Sequence, residues 1–415
     1  GAVEDADALA WNGELDSLAW TGLSRRDTSS EAVYLLNLAH NRQDFLQALR
    51  LFYSPTQNIV YADREGTIGF VNAGHVPVRK SGDGRYPMSG ASGKFDWTGE
   101  IGFDAWPKLF NPPAGAIVNA NNAVTRNDTG VWFGRDQTPP YRAERILELI
   151  AAKPKHDLNS MARIQTDIQA VHARYLLPFI LKVKPETETE RKALELLGNW
   201  NMNADKDGPQ TLILDWWLRH MNAELLRSGL DPVAPVSGIL NASVVADILG
   251  TPRGFCEKLN ADPGCVKAVK SAFSKTITEL SQHHGNDPAE WRWGDEHVAL
   301  MENQVLDNVP GFRDLFGLAF PSDGGFYSIN RGGSIGPADP KHPLARKSGA
   351  GFRGIYDLGD PSQSRFIIAG GQSAHPLSPH YADQLELYKR GDYIRLDVSE
   401  DELKANSEGE MIFTP

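Results

Sequence analysis

The chain has 415 residues, which is enough for one large buried core or for two or three smaller ones. It has 42 basic and 53 acidic residues, which give a formal net charge of -11. This composition lacks the excess of positive charge that binding to a nucleic acid or to an anionic membrane surface requires. Hydrophobic residues make up 41% of the chain, and no apolar run approaches the roughly 18 residues that a membrane span requires. We therefore expect a globular protein whose partner is a small or neutral molecule, and neither a nucleic acid nor a membrane.

The first 110 residues combine short helical patterns with strand-like runs. Residues 32–39 and 42–52 predict two helices, and residues 57–63 and 67–72 are rich in side chains that favour strands. The two strand-like runs are joined through Gly66, which permits a positive φ at the turn. The pattern predicts a hairpin.

The middle of the chain is predicted to be mostly helical, and strands return near its end. Between residues 140 and 171 apolar side chains recur at spacings of three and four, as on one face of a helix. Similar patterns predict further helices at 187–197, 211–226, 244–249, 266–283, 381–388 and 400–407. The late strands are predicted at 291–300, 326–329, 351–358 and 364–369. Strands early, helices in the middle and strands late predict the α+β fold class.

Three asparagines, Asn119, Asn121 and Asn122, come directly after a short apolar run, residues 116–118, that is predicted to be a strand. An asparagine amide donates two N–H groups and carries no charge, so in a dry cleft it can stabilise an oxyanion without competing for protons. The alternative is that these asparagines only turn the chain, since asparagine tolerates left-handed conformations. Composition alone favours the turn.

Three stretches of the sequence resemble one known family. NPPAG-x-IV-x-ANN, followed by PPYRAERI, is similar to the beta-subunit segment of the penicillin acylase (penicillin amidase) family of N-terminal nucleophile hydrolases. Residues 54–99 resemble the early strands of that family, and residues 364–393 resemble its C-terminal signature. The similarity spans roughly residues 17–400. The resemblance implies that the chain is the C-terminal major part of a beta subunit.

The resemblance also implies a fold, which is part of the αββα sandwich of N-terminal nucleophile hydrolases. Residues 1–140 would hold the N-terminal helices, the hairpin and the oxyanion strand. Residues 141–290 would form a mostly helical section, and residues 291–415 would supply C-terminal strands that complete the sandwich. The expected partners are a small-molecule amide substrate and two other parts of the same precursor, namely a missing upstream segment and an alpha subunit.

The mechanism that the resemblance implies uses an N-terminal serine, whose own α-amino group, with a pKa near about 8, is the general base. Gly1 has an amine but no hydroxyl group. We therefore expect the nucleophile to lie in an upstream segment, and we expect this chain to be inactive alone. No cofactor is required for this chemistry.

Three residues are expected to support the reaction. Asn121 resembles the family's oxyanion-hole asparagine, and Asn119 resembles a further amide of the same strand that positions the site. Arg142 resembles the active-site arginine that orders the asparagine and the terminal amine, a task that suits a planar cation with five donors. The alternatives are a turn amide at Asn121 and, for Arg142, a surface ion pair with Glu144 or Glu148.

The resemblance suggests further, less specific assignments. Gln57 and Val33 fall where the walls of the acyl pocket lie in the family, and a glutamine there implies an altered acyl preference. Asp128 and the carbonyl group of Gly84 resemble two ligands of a structural Ca²⁺ that several members bind. The alternative for Asp128 is an ordinary loop acid.

Other motifs predict no chemistry. The sequence 332–336 fits G-x-S-x-G, but the prolines that follow argue against the helix that a nucleophile elbow requires. The adjacent His283 and His284 lack the spacing of a helical zinc motif, so packing and hydrogen bonding are their predicted roles. Cys256 and Cys265 are compatible with one local disulfide or with two free thiols.

Three hypotheses for the function stay open. The first is hydrolysis of the acyl side chain of a β-lactam or a similar small amide. The second is cleavage of acyl-homoserine lactones, which would need a long apolar acyl tunnel. The third is a non-catalytic binding module. The resemblance implies export to the bacterial periplasm or secretion, which favours the disulfide between the two cysteines.

Overall fold

The structure is a computed structural model. The chain forms two compact units, Gly1–Pro140 and Tyr141–Pro415. The three-part division expected from the sequence stays a prediction. The structure describes residues 9–11, 14–124, 133–134, 137–229, 242–251, 255–260, 262, 265–303, 305–306, 309, 311–333, 342–396, 399–407 and 409–414.

The first unit combines two short α-helices with strands. Its helices are α1 (Ser29–Leu36) and α2 (Arg42–Leu49). Its strands are β1 (Leu9–Trp11), β2 (Glu14–Asp16), β3 (Gln57–Ala62), β4 (Ile68–Ala73), β5 (Val76–Arg79), β6 (Trp97–Ile101) and β7 (Lys108–Phe110). Helix α2 begins where it does because the side chain of Asn41 accepts hydrogen bonds from the free N–H groups of Gln43 and Asp44.

Strands β3 and β4 form the predicted hairpin, which is confirmed. They pair in an antiparallel register that places Gln57 opposite Ala73 and Asn58 opposite Asn72. Strand β4 lies between β3 and β7, so β3 is at the edge of this three-stranded sheet. The inner strand β4 is mostly buried, whereas β3 is largely exposed. In the part of the chain that the structure describes, β3 and β7 are thus the two edges of this sheet.

The second unit contains most of the helices. These are α3 (Tyr141–Ala151), α4 (Leu158–Gln165), α5 (Ala173–Ile180), α6 (Glu188–Gly198), α7 (Gln210–Gly229), α8 (Ala242–Gly250), α9 (Phe255–Asn260), α10 (Val266–His284), α11 (Trp293–Glu296), α12 (Phe312–Phe316), α13 (Leu385–Arg390) and α14 (Glu400–Asn406). Its core includes Trp217 and Phe273, which are completely buried. Trp217 also donates a hydrogen bond from Nε1 to the carbonyl group of Val269, 3.3 Å away, which links α7 to α10. The predicted helical middle is confirmed.

The late strands agree with the sequence in part. They are β8 (Val298–Met301), β9 (Leu318–Pro321), β10 (Gly332–Gly333), β11 (Ser348–Gly349), β12 (Phe352–Ile355), β13 (Arg365–Ile368) and β14 (Ile394–Arg395). Strands β12 and β13 pair in an antiparallel manner and lie within the strands predicted at 351–358 and 364–369. The prediction of one strand over 291–300 is wrong, because the short helix α11 precedes β8.

The strand predicted at 326–329 is also wrong, because this segment turns. Gly324 has a φ of +80°, which an extended strand does not allow. The hydroxyl group of Ser328 accepts a hydrogen bond from the N–H of Gly325 at 2.8 Å and donates one to the carbonyl group of Asn330 at 3.0 Å. Local side-chain hydrogen bonds of this kind compete with strand pairing.

Cys256 and Cys265 form a disulfide, which decides between the two alternatives left open by the sequence. Both cysteines are buried in the core of the second unit. Within the described residues, no helix combines the length and the apolar character that crossing a membrane requires.

The buried side chain of Trp217 provides a test of this core. We expect Trp217→Ala to lower the free energy of unfolding by about 3–5 kcal/mol, because the truncation leaves a large cavity between α7 and α10. Leu147→Ala is the control, since Leu147 is 52% exposed on α3 and its truncation should change stability little. Denaturant unfolding of both variants measures the difference, and equal losses would contradict the assignment of the core.

Candidate active site

The segment that leads to the three asparagines is irregular. Strand β7 ends at Phe110, and Asn111 then adopts a φ of +44°. The side-chain oxygen of Asn111 accepts a hydrogen bond from the N–H of Ile68 at 2.9 Å. Pro112 and Pro113 follow, and proline has no N–H group to donate to a sheet. The strand predicted at 116–118 is therefore absent from the described segment, and that prediction is wrong.

Three asparagine side chains and the backbone N–H of a fourth asparagine form a continuous hydrogen-bonded row. Asn72 Nδ2 donates to Asn58 Oδ1 at 2.7 Å, and Asn58 Nδ2 donates to Asn119 Oδ1 at 3.3 Å. Asn119 Oδ1 also accepts the backbone N–H of Asn121 at 3.3 Å. The row thus begins on the hairpin of β3 and β4 and ends at Asn121. It attaches the irregular segment to a regular part of the sheet.

Asn121 has a backbone conformation that few side chains adopt. Its φ is +64°, in the left-handed region that costs most L-residues free energy and that asparagine tolerates better than most. Its carbonyl group accepts the N–H of Thr138 at 3.0 Å, and the hydroxyl group of Thr138 donates to the carbonyl group of Ala120 at 2.9 Å. The residue itself is exposed. Strained non-glycine residues held in place by several hydrogen bonds are concentrated at functional sites.

Arg142 lies in the first turn of α3, in the second unit. Burial and the nearby positive charge of Arg331 lower its pKa to about 10. Its helix neighbour Tyr141 is buried and contacts the rings of Tyr175, Tyr327 and His172, which fixes the start of α3. Arg142 is therefore a cation in a partly dry environment.

The two acids proposed as ion-pair partners of Arg142 contact other donors. Glu148 pairs with Arg174 and with Arg145, and these arginines lower the pKa of its carboxyl group to about 2. Glu144 accepts a hydrogen bond from the hydroxyl group of Tyr175 at 3.2 Å. Both acids thus have other donors, and the alternative of a surface ion pair for Arg142 stays open.

Val33 and Gln57, the predicted acyl-pocket residues, both have exposed side chains in the first unit. Val33 is 50% exposed on α1, and Gln57 is the first residue of β3. Gln57 directly precedes Asn58 on β3, so the two side chains point to opposite faces of the sheet. Their role in binding an acyl group stays a prediction.

The predicted calcium site is only partly within the described residues, because Asp128 lies outside them. Gly84 has a φ of +76°, and the guanidinium group of Arg79 lies against it, so that an added Cβ atom would come within 2.7 Å of Arg79 Nη2. The Ca²⁺ site stays a prediction, and no step of the chemistry depends on it.

Ser334 of the G-x-S-x-G match lies outside the described residues. Nδ1 of His380 lies 2.8 Å from Oδ2 of Asp383, and the carboxylate accepts a hydrogen bond from this ring nitrogen.

Sequence reasoning missed Asn58 and Asn72. The predicted hairpin could have indicated that they are neighbours, because the register of a tight hairpin places these two amides opposite each other. Arg331, which lies near Arg142 and lowers its pKa, had no signal in the sequence.

Comparison with known proteins identifies related enzymes. The penicillin acylase 2 proenzyme of Pseudomonas sp. (strain SE83) is 28% identical over 79% of this chain and 42% of that protein. The penicillin G acylase of Escherichia coli is 26% identical over 98% of this chain and 49% of that protein. The acyl-homoserine lactone acylase QuiP of Pseudomonas aeruginosa is 24% identical over 89% of this chain and 47% of that protein. The chain thus spans about half the length, or less, of these relatives.

A solved structure and a family model agree with these relatives. The thermostable penicillin G acylase from Alcaligenes faecalis has a similar fold, with a TM-score of 0.64 and 21% identity over 94% of this chain and 72% of that one. This likeness confirms the predicted α+β fold of the N-terminal nucleophile hydrolase type. The family model for penicillin amidase matches residues 3–405. Because that match extends over nearly the whole chain, the protein described here belongs to the penicillin amidase family.

Proposed function

We propose that this chain supplies the supporting half of the active site of an N-acyl amide hydrolase. The observation that carries the proposal is the row of asparagines that ends at Asn121, a residue held in a left-handed conformation. A preorganised amide donor needs this kind of support, because it must not reorganise while negative charge develops in front of it. The family match supplies the reaction class.

The proposed reaction has two halves. A serine hydroxyl group attacks the amide carbonyl carbon and passes its proton to the terminal amine, and the carbonyl oxygen becomes an oxyanion. Asn121 Nδ2 donates a hydrogen bond to that oxygen. The C–N bond then breaks as the leaving amine takes the proton, and water releases the acyl group from the serine. Arg142 supplies a fixed positive charge with several donors for the terminal amine.

We propose that the serine is carried by a separate strand next to β3. In the described residues, β3 is at the edge of its sheet, and its side chains Gln57, Asn58 and Val60 are exposed. An edge strand presents unpaired N–H and C=O groups to a neighbouring strand. A strand placed there would lie beside Asn58, which belongs to the row of asparagines. The upstream segment and the alpha subunit are the proposed partners.

The first candidate substrate is a small N-acyl amide of the β-lactam type. Two relatives with 28% and 26% identity are penicillin acylases, and this supports the assignment. The acyl-homoserine lactone acylases among the relatives support the second candidate. The exposed amide of Gln57 at the predicted pocket favours an acyl group that carries a polar atom over a plain aromatic one.

We also propose that the protein is exported from the cytoplasm to the periplasm or beyond. The disulfide between Cys256 and Cys265 supports this location, because disulfides persist mainly in oxidising compartments. Fractionation of the native host tests it. Recovery of the protein with cytoplasmic markers would contradict the proposal.

The function is tested by comparing the 415-residue chain with the complete gene product that contains it. Both are assayed with a chromogenic phenylacetyl anilide, with a penicillin and with an N-acyl-homoserine lactone. We expect hydrolysis by the complete product and none by the chain alone. Activity of the chain alone would show that the nucleophile lies within it. Binding without hydrolysis by the complete product would show a non-catalytic binding module.

A further inference from the structure

Three potential metal ligands converge at the end of helix α10, and none of them has been assigned a part in hydrolysis. His283 and His284 are the last two residues of this helix, and Glu296 is the last residue of α11. One ligand atom of each side chain lies within 4.8 Å of the other two. Two imidazoles and one carboxylate are a ligand set that Zn²⁺ accepts, with a water molecule completing the coordination.

The distances are close to those that such an ion requires. His284 Nε2 and Glu296 Oε1 are 2.8 Å apart and share a hydrogen bond. In a tetrahedral site with bonds of about 2.0–2.2 Å, neighbouring ligand atoms are separated by roughly 3.4 Å. The pair therefore has to open by about half an ångström, and His283, which is exposed, has to move inward. Both are side-chain movements that leave the backbone in place.

The surroundings orient one ligand and favour a positive charge. Glu296 is 4% exposed, and its second oxygen, Oε2, accepts a hydrogen bond from Trp216 Nε1 at 2.7 Å. Such an outer partner directs the first oxygen of a carboxylate toward a metal. Both histidines lie in the last turn of a 19-residue helix, where the partial negative charge of the helix dipole attracts cations.

The competing interpretation is a hydrogen bond between His284 and Glu296 that only satisfies a buried acid. That interpretation does not explain why His283 lies here. The ring of His283 contacts Trp216, with 5.9 Å between the ring centroids. Trp216 thus contacts two members of the cluster. We propose that His283, His284 and Glu296 bind one divalent transition-metal ion of the zinc class, which ties the end of α10 to α11.

The test is titration of metal-stripped protein with Zn²⁺ by calorimetry, and with Co²⁺ by visible absorption. We expect one saturable site, a Co²⁺ spectrum of low coordination number, and a rise in the melting temperature with Zn²⁺. His283→Gln removes a ligand from an exposed position, so the protein should still fold. This variant should bind Zn²⁺ at least about tenfold more weakly, because even the loss of a residue that only contacts a metal ligand costs about that much.

His375→Gln is the matched control, because His375 is an exposed histidine of the same unit outside the cluster. It should leave the affinity unchanged. Glu296→Gln keeps the size and the hydrogen-bonding capacity of the side chain and should also weaken binding. Absence of a saturable site, or equal affinity in the protein and in His283→Gln, would overturn the proposal and leave only the hydrogen bond between His284 and Glu296.

Discussion

Replacing Asn121 by alanine is expected to lower kcat for amide hydrolysis by about a hundredfold to a thousandfold, with a much smaller change in KM. The reason is that an oxyanion donor acts mainly in the transition state, and removal of one such donor typically has this cost. The measurement is steady-state kinetics of the complete gene product with a chromogenic amide. The variant should still bind substrate, because the acyl group is held elsewhere.

A second variant separates the amide from the backbone conformation. Alanine at Asn121 also introduces strain, since its φ is +64°. Asn121→Gly removes the amide but accepts this φ without strain, so it should lose as much kcat as the alanine variant while staying more stable. If asparagine only turns the chain here, the glycine variant would retain nearly full activity, and the oxyanion role would be wrong.

Asn111 offers a matched control for this pair. It also has a positive φ, of +44°, and its side chain accepts a hydrogen bond from the N–H of Ile68. Asn111→Gly should therefore affect stability by the loss of one hydrogen bond, about 1 kcal/mol, and should leave kcat unchanged. A loss of kcat in this variant comparable to that of Asn121→Gly would mean that the whole segment, and not one amide, controls activity.

The regular parts of the fold were predictable because their signal is local. Apolar residues at spacings of three and four predicted α7 and α10, and two β-rich runs around Gly66 predicted the hairpin. The failures lie where tertiary contacts decide. The segment that contains α11 is rich in aromatic residues that favour strands, yet Trp293 is buried and its Nε1 donates to the carbonyl group of Gly324.

The candidate site shows the same limit. Asn121 and Arg142 could be selected from the sequence because their motifs resemble a family, and spacing alone favoured a turn for the asparagines. The support of Asn121 by Asn58 and Asn72 depends on hydrogen bonds between residues up to 61 positions apart. The cluster of His283, His284 and Glu296 has no motif, because its third member lies on a different helix and reaches the histidines only through the fold.

The second large effect is expected from Arg142. We expect Arg142→Ala to lower kcat about a hundredfold, because the loss of a fixed cation with several donors leaves the reacting groups misplaced by about an ångström.

The pKa of Arg142 is lowered from its usual range to about 10, so the native side chain stays charged throughout pH 6–9. The pKa of Arg142 is higher in the unfolded chain than in the folded protein. The side chain is therefore charged in both states, and it adds no pH dependence to the free energy of unfolding throughout pH 6–9. Above pH 10 the folded form loses the proton first, which relieves the cost of burying the charge.

Replacing Arg142 by lysine tests the role of this charge most directly. A lysine begins from a lower reference pKa, near about 10.4, and the same burial and the same Arg331 would lower it further. Arg142→Lys should therefore retain part of the activity near neutral pH and lose it at alkaline pH, where the native enzyme does not. Arg145→Lys is the control on the same helix, since Arg145 pairs with Asp167 and should not change the pH profile. An alkaline limb that is identical in the native enzyme and in Arg142→Lys would show that the charge at this position has no part in the reaction.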